Sequence, residues 1–302
     1  MEIPAGLVKE LRERTGAGMM DCKTALVENG GSLDAAADWL RKQGAIKAEK
    51  KSGRVASEGA IVVAPSADGR AVAMVEVNSE TDFVANDASF KAFAQAVAGT
   101  VISARPASVE ALAALPLAGG AETVEAARTA LVAKIGENIG VRRFMIRERA
   151  GDHLASYLHG KRIGVLVDLK GADEALARDI AMHIAASKPV CVDAAQIPGE
   201  LLAKEREIYT AQAATSGKPA PIVEKMVEGR LKKYVDEITL LGQPFVKDPD
   251  TPVGKLVKSR GAEVLGFVRL ELGEGVEKKE SDFAAEVMAQ VRQTEGDGKE
   301  PK

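Results

Sequence analysis

Twice along this chain, two short apolar runs joined by a tight turn are followed by a helical pattern. That repeat limits the possible folds more than any single motif does. In the first copy Ile61-Val62-Val63 and residues 72–77 flank Asp68-Gly69, a pair suited to a tight hairpin turn. A polar loop follows, then a helix carrying Phe90, Phe93, Val97 and Val101 on one face. In the second copy residues 154–158 and 163–169 flank Gly160-Lys161, and a helix is expected from about Asp173 to Ser187. Aligning residues 72–77 with 163–169 puts hairpin, loop and helix in the same order in both halves, although few residues are identical. The expected fold class is α+β, with a core of two related hairpin-plus-helix subdomains on antiparallel sheets.

Around this core the chain divides further. Residues 1–45 read as a three-helix domain. Its first helix starts near Pro4 with an apolar stripe of Leu7, Val8 and Leu11, and ends before Gly16-Ala17-Gly18. The second runs from about Met19 to Glu28, and the third from a Ser32 cap through Trp39 and Leu40 to Gly44. Residues 46–58, rich in Lys, Ser and Gly, read as a solvated linker, with a docking strip as the alternative. Core subdomain N is expected over 59–140, and core subdomain C over 141–197 and 242–272. Between the last two, residues 198–241 form an inserted helical-hairpin arm turning at Ser216-Gly217-Lys218-Pro219. Leu201, Leu202, Ile208 and Tyr209 should there face Val223, Met226, Val227, Tyr234 and Ile238. Such an insert either projects or lies flat on the core. A C-terminal helical module with Phe283, Val287 and Val291 and a polar tail from Thr294 is expected over 273–302.

Composition removes several classes of function. A net charge of −3 and 4% aromatic residues give neither the electrostatic footprint nor the stacking surface of a nucleic-acid binder. No apolar run reaches the length of a membrane span. Cys22 and Cys191 are far apart and lack metal-type spacing, so both read as reduced thiols of a cytoplasmic protein. His153, His159 and His183 have no zinc-ligand spacing. No phosphate loop, dinucleotide fingerprint or nucleophile elbow occurs. Lys134-Ile135-Gly136-Glu137-Asn138-Ile139-Gly140 places its glycines after a helix, where they cap and turn the chain rather than cradle a phosphate. The expectation is a protein that is not an enzyme and needs no cofactor or metal.

One segment resists a purely structural reading. In Asn78-Ser79-Glu80-Thr81-Asp82-Phe83-Val84 a lone aromatic stands in a polar loop, and the second repeat has Lys170-Gly171-Ala172 there instead. The fold unit therefore does not require residues 81–84. Phe83 either turns back into its own core or projects as a wedge toward another molecule. A binding scaffold requires the first arrangement, while an enzyme with an unrecognised acidic site would turn over a substrate without any partner.

Ordered motifs along nearly the whole chain resemble the elongation factor Ts family. They are Leu11-Arg12-Glu13-Arg14-Thr15-Gly16-Ala17-Gly18-Met19-Met20-Asp21-Cys22-Lys23, then Glu76-Val77-Asn78-Ser79-Glu80-Thr81-Asp82-Phe83-Val84-Ala85, then residues 133–138, Gly217-Lys218-Pro219, residues 224–230, Gly242-Gln243-Pro244-Phe245 and Ser281-Asp282-Phe283-Ala284. Two departures are Thr24, where a second lysine is common, and Asn86, where a basic residue is usual. The resemblance implies a ubiquitin-associated-like N-terminal domain and guanine-nucleotide exchange on elongation factor Tu, with displacement of that partner's Mg²⁺. It implies that Thr81, Asp82, Phe83 and Val84 dislodge the ion, with Phe83 as the wedge. Arg12, Met19, Met20, Ile135, Gly136, Glu137, Asn138 and Phe283 would be docking surface. It also leaves room for pairing of two complexes through the arm.

Overall fold

The computed structural model describes residues 3–215 and 219–276. The arm turn at Ser216-Gly217-Lys218 and the expected helix and tail at Phe283, Val287, Val291 and beyond lie outside the described residues.

The N-terminal bundle comprises α1 (Ala5–Thr15), α2 (Met19–Glu28) and α3 (Leu33–Ser52). Gly16, left-handed at φ 68°, ends α1 and sends its N–H back to Arg12 O. Ser32 caps α3 by accepting the Ala35 N–H. Leu11, Cys22, Ala25, Leu26 and Ala36 form the buried centre, with Trp39 and Leu40 half-buried against it.

The expected end of α3 at Gly44 and the linker from 46 are corrected. The helix continues to Ser52, because residues 45–51 contain no breaker and are mostly good helix formers. Gly44 is buried in mid-helix, where an added Cβ would stand 3.3 Å from that of Ala133. At about 1.5 Å per residue α3 is a rod of about 30 Å. Its Ala36 lies in the bundle's centre and its Ala48 in the next core.

The first half of that core runs β1 (Glu58–Pro65), β2 (Ala71–Ser79), α4 (Ala88–Ala104), α5 (Val109–Ala113), α6 (Val124–Ile135) and β3 (Ile139–Glu148). The second half runs β4 (His153–His159), β5 (Ile163–Lys170), α7 (Glu174–Ser187), α8 (Gly199–Ala214), α9 (Ala220–Ile238), β6 (Pro244–Phe245), β7 (Asp248–Pro252), α10 (Val253–Ser259) and β8 (Glu263–Glu271). Each half forms a three-stranded antiparallel sheet, in the orders β1-β2-β3 and β4-β5-β8. The boundary expected at 141 moves accordingly. Residues 141–147 belong to β3, which pairs with β2 of the first half, so that half closes at Glu148.

The repeat reaches into fine detail. The central strands β2 and β5 begin opposite the acid that ends each third strand, Ala71 opposite Glu148 and Ile163 opposite Glu271. Both ladders shift register at the same point, after Glu76 and after Asp168. Helices α4 and α7 end in Arg105 (φ 51°) and Lys188 (φ 50°), which among the described residues are the two non-glycines with positive φ. Each precedes a proline, and each is ion-paired to the terminal acid of its own half, Arg105 to Glu148 and Lys188 to Glu271.

Each sheet buries one face under its helix. Phe90, Phe93, Val97 and Val101 of α4 pack on Ala73, Val75 and Val77, and Leu176, Ile180 and Ile184 of α7 pack on Val165, Val167 and Leu169. The other faces meet one another through Ile61, Val72 and Met74 against Leu166, Leu270 and Leu272. Every residue of β2 is therefore buried, which explains its near-continuous apolar run. The sheets come so close that a Cβ on Gly164 would lie 2.5 Å from Met74 Sδ and 2.7 Å from Ile61 Cγ2.

Two buried carboxylates cross this interface in an exchange. Glu76 of the first half accepts the N–H of Gly273, two residues past β8, at 2.8 Å. Asp168 of the second half accepts the N–H of Ala150, two residues past β3, at 2.8 Å. Arg143 Nε and Arg142 Nη1 also reach Glu76, at 2.6 and 3.1 Å. Burial pushes the Glu76 carboxyl up, but the Gly273 N–H, Arg143 and Arg142 outweigh it and hold the group below the ordinary carboxylate range.

In the arm, α8 and α9 pack on each other through Tyr209, Ala213, Val223, Val227 and Leu231. Tyr209, Val223 and Val227 stand as the spacing predicts, whereas Ile208 is 38% exposed. Neither main core cluster contains a residue of α8 or α9, and the core is rejoined only at Leu240 and Leu241, so the helical hairpin does not lie flat on the core.

Candidate functional site

Between β2 and α4 the chain makes a short loop and one 3₁₀ turn, Val84–Asn86. Three sets of contacts determine its shape. Val84 and Ala85 are buried in the first half's core. Asp87 caps α4, its carboxylate accepting the N–H groups of Ser89 and Phe90 at 2.7 and 3.1 Å. Thr81 is gripped by Glu137, whose two oxygens accept the Thr81 N–H at 3.0 Å and the Thr81 hydroxyl at 2.7 Å.

Glu137 stands in the turn between α6 and β3, opened by Gly136 at φ 88°. That turn is bound in several directions. Glu80 accepts the Asn138 N–H at 2.6 Å, and Asn138 Nδ2 donates to the carbonyls of Ser52 and Arg54 at 3.3 and 2.8 Å. Arg54 lies 3.6 Å from Glu80, and the Lys51 ammonium donates to Gly136 O. Loop, turn and the end of α3 thus form one hydrogen-bonded unit.

The product is a rigidly held loop with an exposed tip. Phe83 is 84% exposed, and the Asp82 side chain is exposed beside it. Exposing a whole phenyl ring forgoes roughly 1.5–3 kcal/mol of burial. The neighbours Val84 and Ala85 occupy the core where the ring would otherwise go.

Of the residues named from the sequence, Thr81 is brought against Glu137, Asn138 is tied to the adjoining Glu80, Val84 is buried in the core, and Asp82 and Phe83 stand exposed at the tip. Glu137 and Asn138 are engaged internally, so they support the loop, and Ile135 packs half-buried on the first half's core. Arg12 is exposed on α1. Met19 and Met20, 60% and 71% exposed, open α2. Next to them Asp21 is paired with Lys47 of α3 at 3.1 Å, so one helix contacts both groups. Phe283 lies outside the described residues.

Sequence reasoning missed Glu80, Lys51, Arg54, Asn86 and Lys161 as parts of this site. Asn86 Nδ2 and Lys161 Nζ both donate to the Asp82 carbonyl, at 3.1 and 3.2 Å. No local pattern marks Lys161, which comes from a hairpin turn in the other half.

Elsewhere the titratable groups have structural roles. His183 is fully buried, with Nδ1 accepting the Val246 N–H at 3.1 Å and Nε2 3.0 Å from Gln243 Oε1. Burial pushes its pKa down, against a smaller opposing effect of the Gln243 hydrogen bond. Burial likewise pushes the thiols of Cys22 and Cys191 up. Among the described residues no group of three or more His, Cys, Asp or Glu gathers as a metal site, and no helix is long and apolar enough to cross a membrane.

A family model described as Elongation factor TS matches residues 80–274. The chain is 61% identical over 293 residues to Elongation factor Ts of Thioalkalivibrio sulfidiphilus, covering 97% of this chain and 99% of the relative. It is 60% identical over 292 residues to that of Methylococcus capsulatus, with the same coverage. To that of Legionella pneumophila subsp. pneumophila it is 55% identical over 290 residues, covering 96% and 99%.

Proposed function

The chain belongs to the elongation factor Ts family of translation elongation factors, and from that premise we propose that it is a guanine-nucleotide exchange factor for elongation factor Tu. The observation that carries this reading is Phe83, 84% exposed on a loop whose backbone is held on every side. A binding scaffold requires that ring to be buried. An aromatic held outward on a pre-ordered loop can enter an apolar crevice of a partner without a large ordering cost at the encounter.

Phe83 wedges into the partner's nucleotide domain, and the Asp82 carboxylate engages groups displaced there. The Mg²⁺ that bridges the partner's nucleotide phosphates is thereby lost. A nucleotide held at nanomolar affinity carries about 12 kcal/mol of binding energy, much of it through that ion. Losing about 5 kcal/mol of it speeds release several-thousandfold at about 1.4 kcal/mol per tenfold. Coupling is reciprocal, so GDP or GTP returning to the partner weakens its hold on the factor in turn. The chain does no covalent chemistry and does not choose between GDP and GTP. Arg12, Met19 and Met20 supply docking surface on the N-terminal bundle, and Phe283 supplies more beyond β8.

The test is release of a fluorescent GDP from elongation factor Tu, with this protein and with Phe83→Ala. Acceleration by the unaltered chain that falls at least several-fold in the variant supports the wedge. Equal acceleration by both moves the mechanism away from Phe83, and no acceleration by folded protein at micromolar concentration overturns the reading.

A further inference from the structure

We propose that Lys161 and Asn86 are positioning residues for this exchange, which aim Phe83 by fixing the peptide plane between Asp82 and Phe83. The proposal rests on the exchange-factor reading above. Both residues donate to one oxygen, the Asp82 carbonyl, with Asn86 Nδ2 at 3.1 Å and Lys161 Nζ at 3.2 Å. They approach from different parts of the molecule. Asn86 lies four residues further along the same loop, whereas Lys161 is 79 residues away, in the turn between β4 and β5.

That turn has a firm base on β1. The Ile61 N–H donates to Lys161 O at 2.9 Å, and Arg162 Nη1 pairs with Glu58 at 2.9 Å. The Lys161 backbone is thus anchored to the first half's sheet, and its side chain spans from there to the loop. A carbonyl oxygen has two lone pairs, and here two donors occupy them. The plane of that peptide sets ψ of Asp82 and φ of Phe83, so rotating it swings the Phe83 Cβ. Because the ring is 84% exposed, its own packing does not aim it. Glu137 fixes the chain before this peptide through Thr81, and buried Val84 and Ala85 fix it afterwards. Within that frame the peptide plane is the remaining freedom, and Lys161 and Asn86 remove it.

Losing one donor leaves the fold intact, because the Lys161 backbone keeps its bond from Ile61 and the Asp82 carbonyl keeps its other donor. The ordering cost then falls at the moment the ring enters the partner. Nucleotide release from elongation factor Tu is measured across a range of concentrations of the full chain and its variants. With Lys161→Met or Asn86→Ala, the rate at saturation falls about three- to tenfold, the worth of one hydrogen bond. The half-saturating concentration stays unchanged, and Lys161→Arg, which keeps charge and donors, restores the rate. In the free protein, amide hydrogen exchange quickens at Asn86 and Asp87, whose N–H groups donate to Phe83 O and Val84 O.

A saturating rate equal to wild type in both variants overturns the proposal. So does a loss confined to the half-saturating concentration, which marks Lys161 as a direct contact with the partner. If the unaltered chain gives no acceleration, the exchange-factor reading itself falls. Amide exchange in the free protein then still decides whether Lys161 and Asn86 hold the loop, and unchanged exchange in both variants overturns that too.

Discussion

Glu137 holds Thr81 by both its backbone and its side chain, one carboxylate oxygen on the N–H at 3.0 Å and the other on the hydroxyl at 2.7 Å. The two residues are 56 positions apart, and this clasp joins the turn before β3 to the loop that bears Phe83. A carboxylate accepts on both oxygens, whereas an amide accepts on one and presents a donor on the other.

Glu137→Gln can keep one of these bonds as acceptor and reverse the other, because the Thr81 hydroxyl accepts as well as donates, so Glu137→Ala, which removes both, is the decisive variant. A cost of about 1–2 kcal/mol is expected, with release of GDP from elongation factor Tu slowed roughly five- to thirtyfold. Thermal unfolding should move little by comparison. Stopped-flow release together with circular-dichroism melting checks both expectations, and a rate equal to wild type refutes the role given to the clasp.

Stability should fall as the pH drops below about 6.5, the ordinary pKa of histidine, because of His183. Burial depresses the folded pKa, and Nδ1 already accepts the Val246 N–H, so the native ring stays neutral where the unfolded one takes a proton. The unfolded state then binds more protons, and stability is lost from about pH 6.5 downward at no more than about 1.4 kcal/mol per pH unit. Urea midpoints between pH 5 and 7.5 report this slope. His183→Gln should flatten it, whatever its absolute stability.

Gly164 marks a close approach of the two sheets. A Cβ there would stand 2.5 Å from Met74 Sδ and 2.7 Å from Ile61 Cγ2, so Gly164→Ala overpacks the interface. A loss of about 1–3 kcal/mol is expected. Met74→Ala, which alone leaves a cavity, should recover part of that loss in the double variant. Urea titration of the four proteins closes the cycle, and strict additivity argues against a shared contact.

Much of the architecture was legible from local pattern. Asp68-Gly69 and Gly160-Lys161 announced the two hairpins, and Asp173 announced the start of α7. The aromatic in a polar loop, absent from the second copy, pointed to Thr81–Phe83 as more than scaffold. Local pattern misjudged α3, since Gly44 and the lysines after it suggest an end when considered alone. Residues 45–51 are in fact mostly good helix formers, and packing of Gly44 and Ala48 against the core adds to that propensity. Local pattern also set a subdomain boundary at 141 that assigns β3 to the wrong half, because a strand belongs to the partner that takes its hydrogen bonds, and β2 takes those of β3.

By itself the sequence determined the hairpins, the helices, the duplication and the family, because these depend on the spacing of residues near one another in the chain. Tertiary structure alone decided what those elements do for one another. Thr81 needs Glu137 from 56 residues away, Asp82 needs Lys161 from 79, and Glu76 needs Gly273 from 197. No periodicity encodes such pairings, since they form only when the packed sheets bring distant donors and acceptors together. The outward Phe83 is of the same kind. Val84 and Ala85 take the core position, and the ring remains in solvent because everything around it is held.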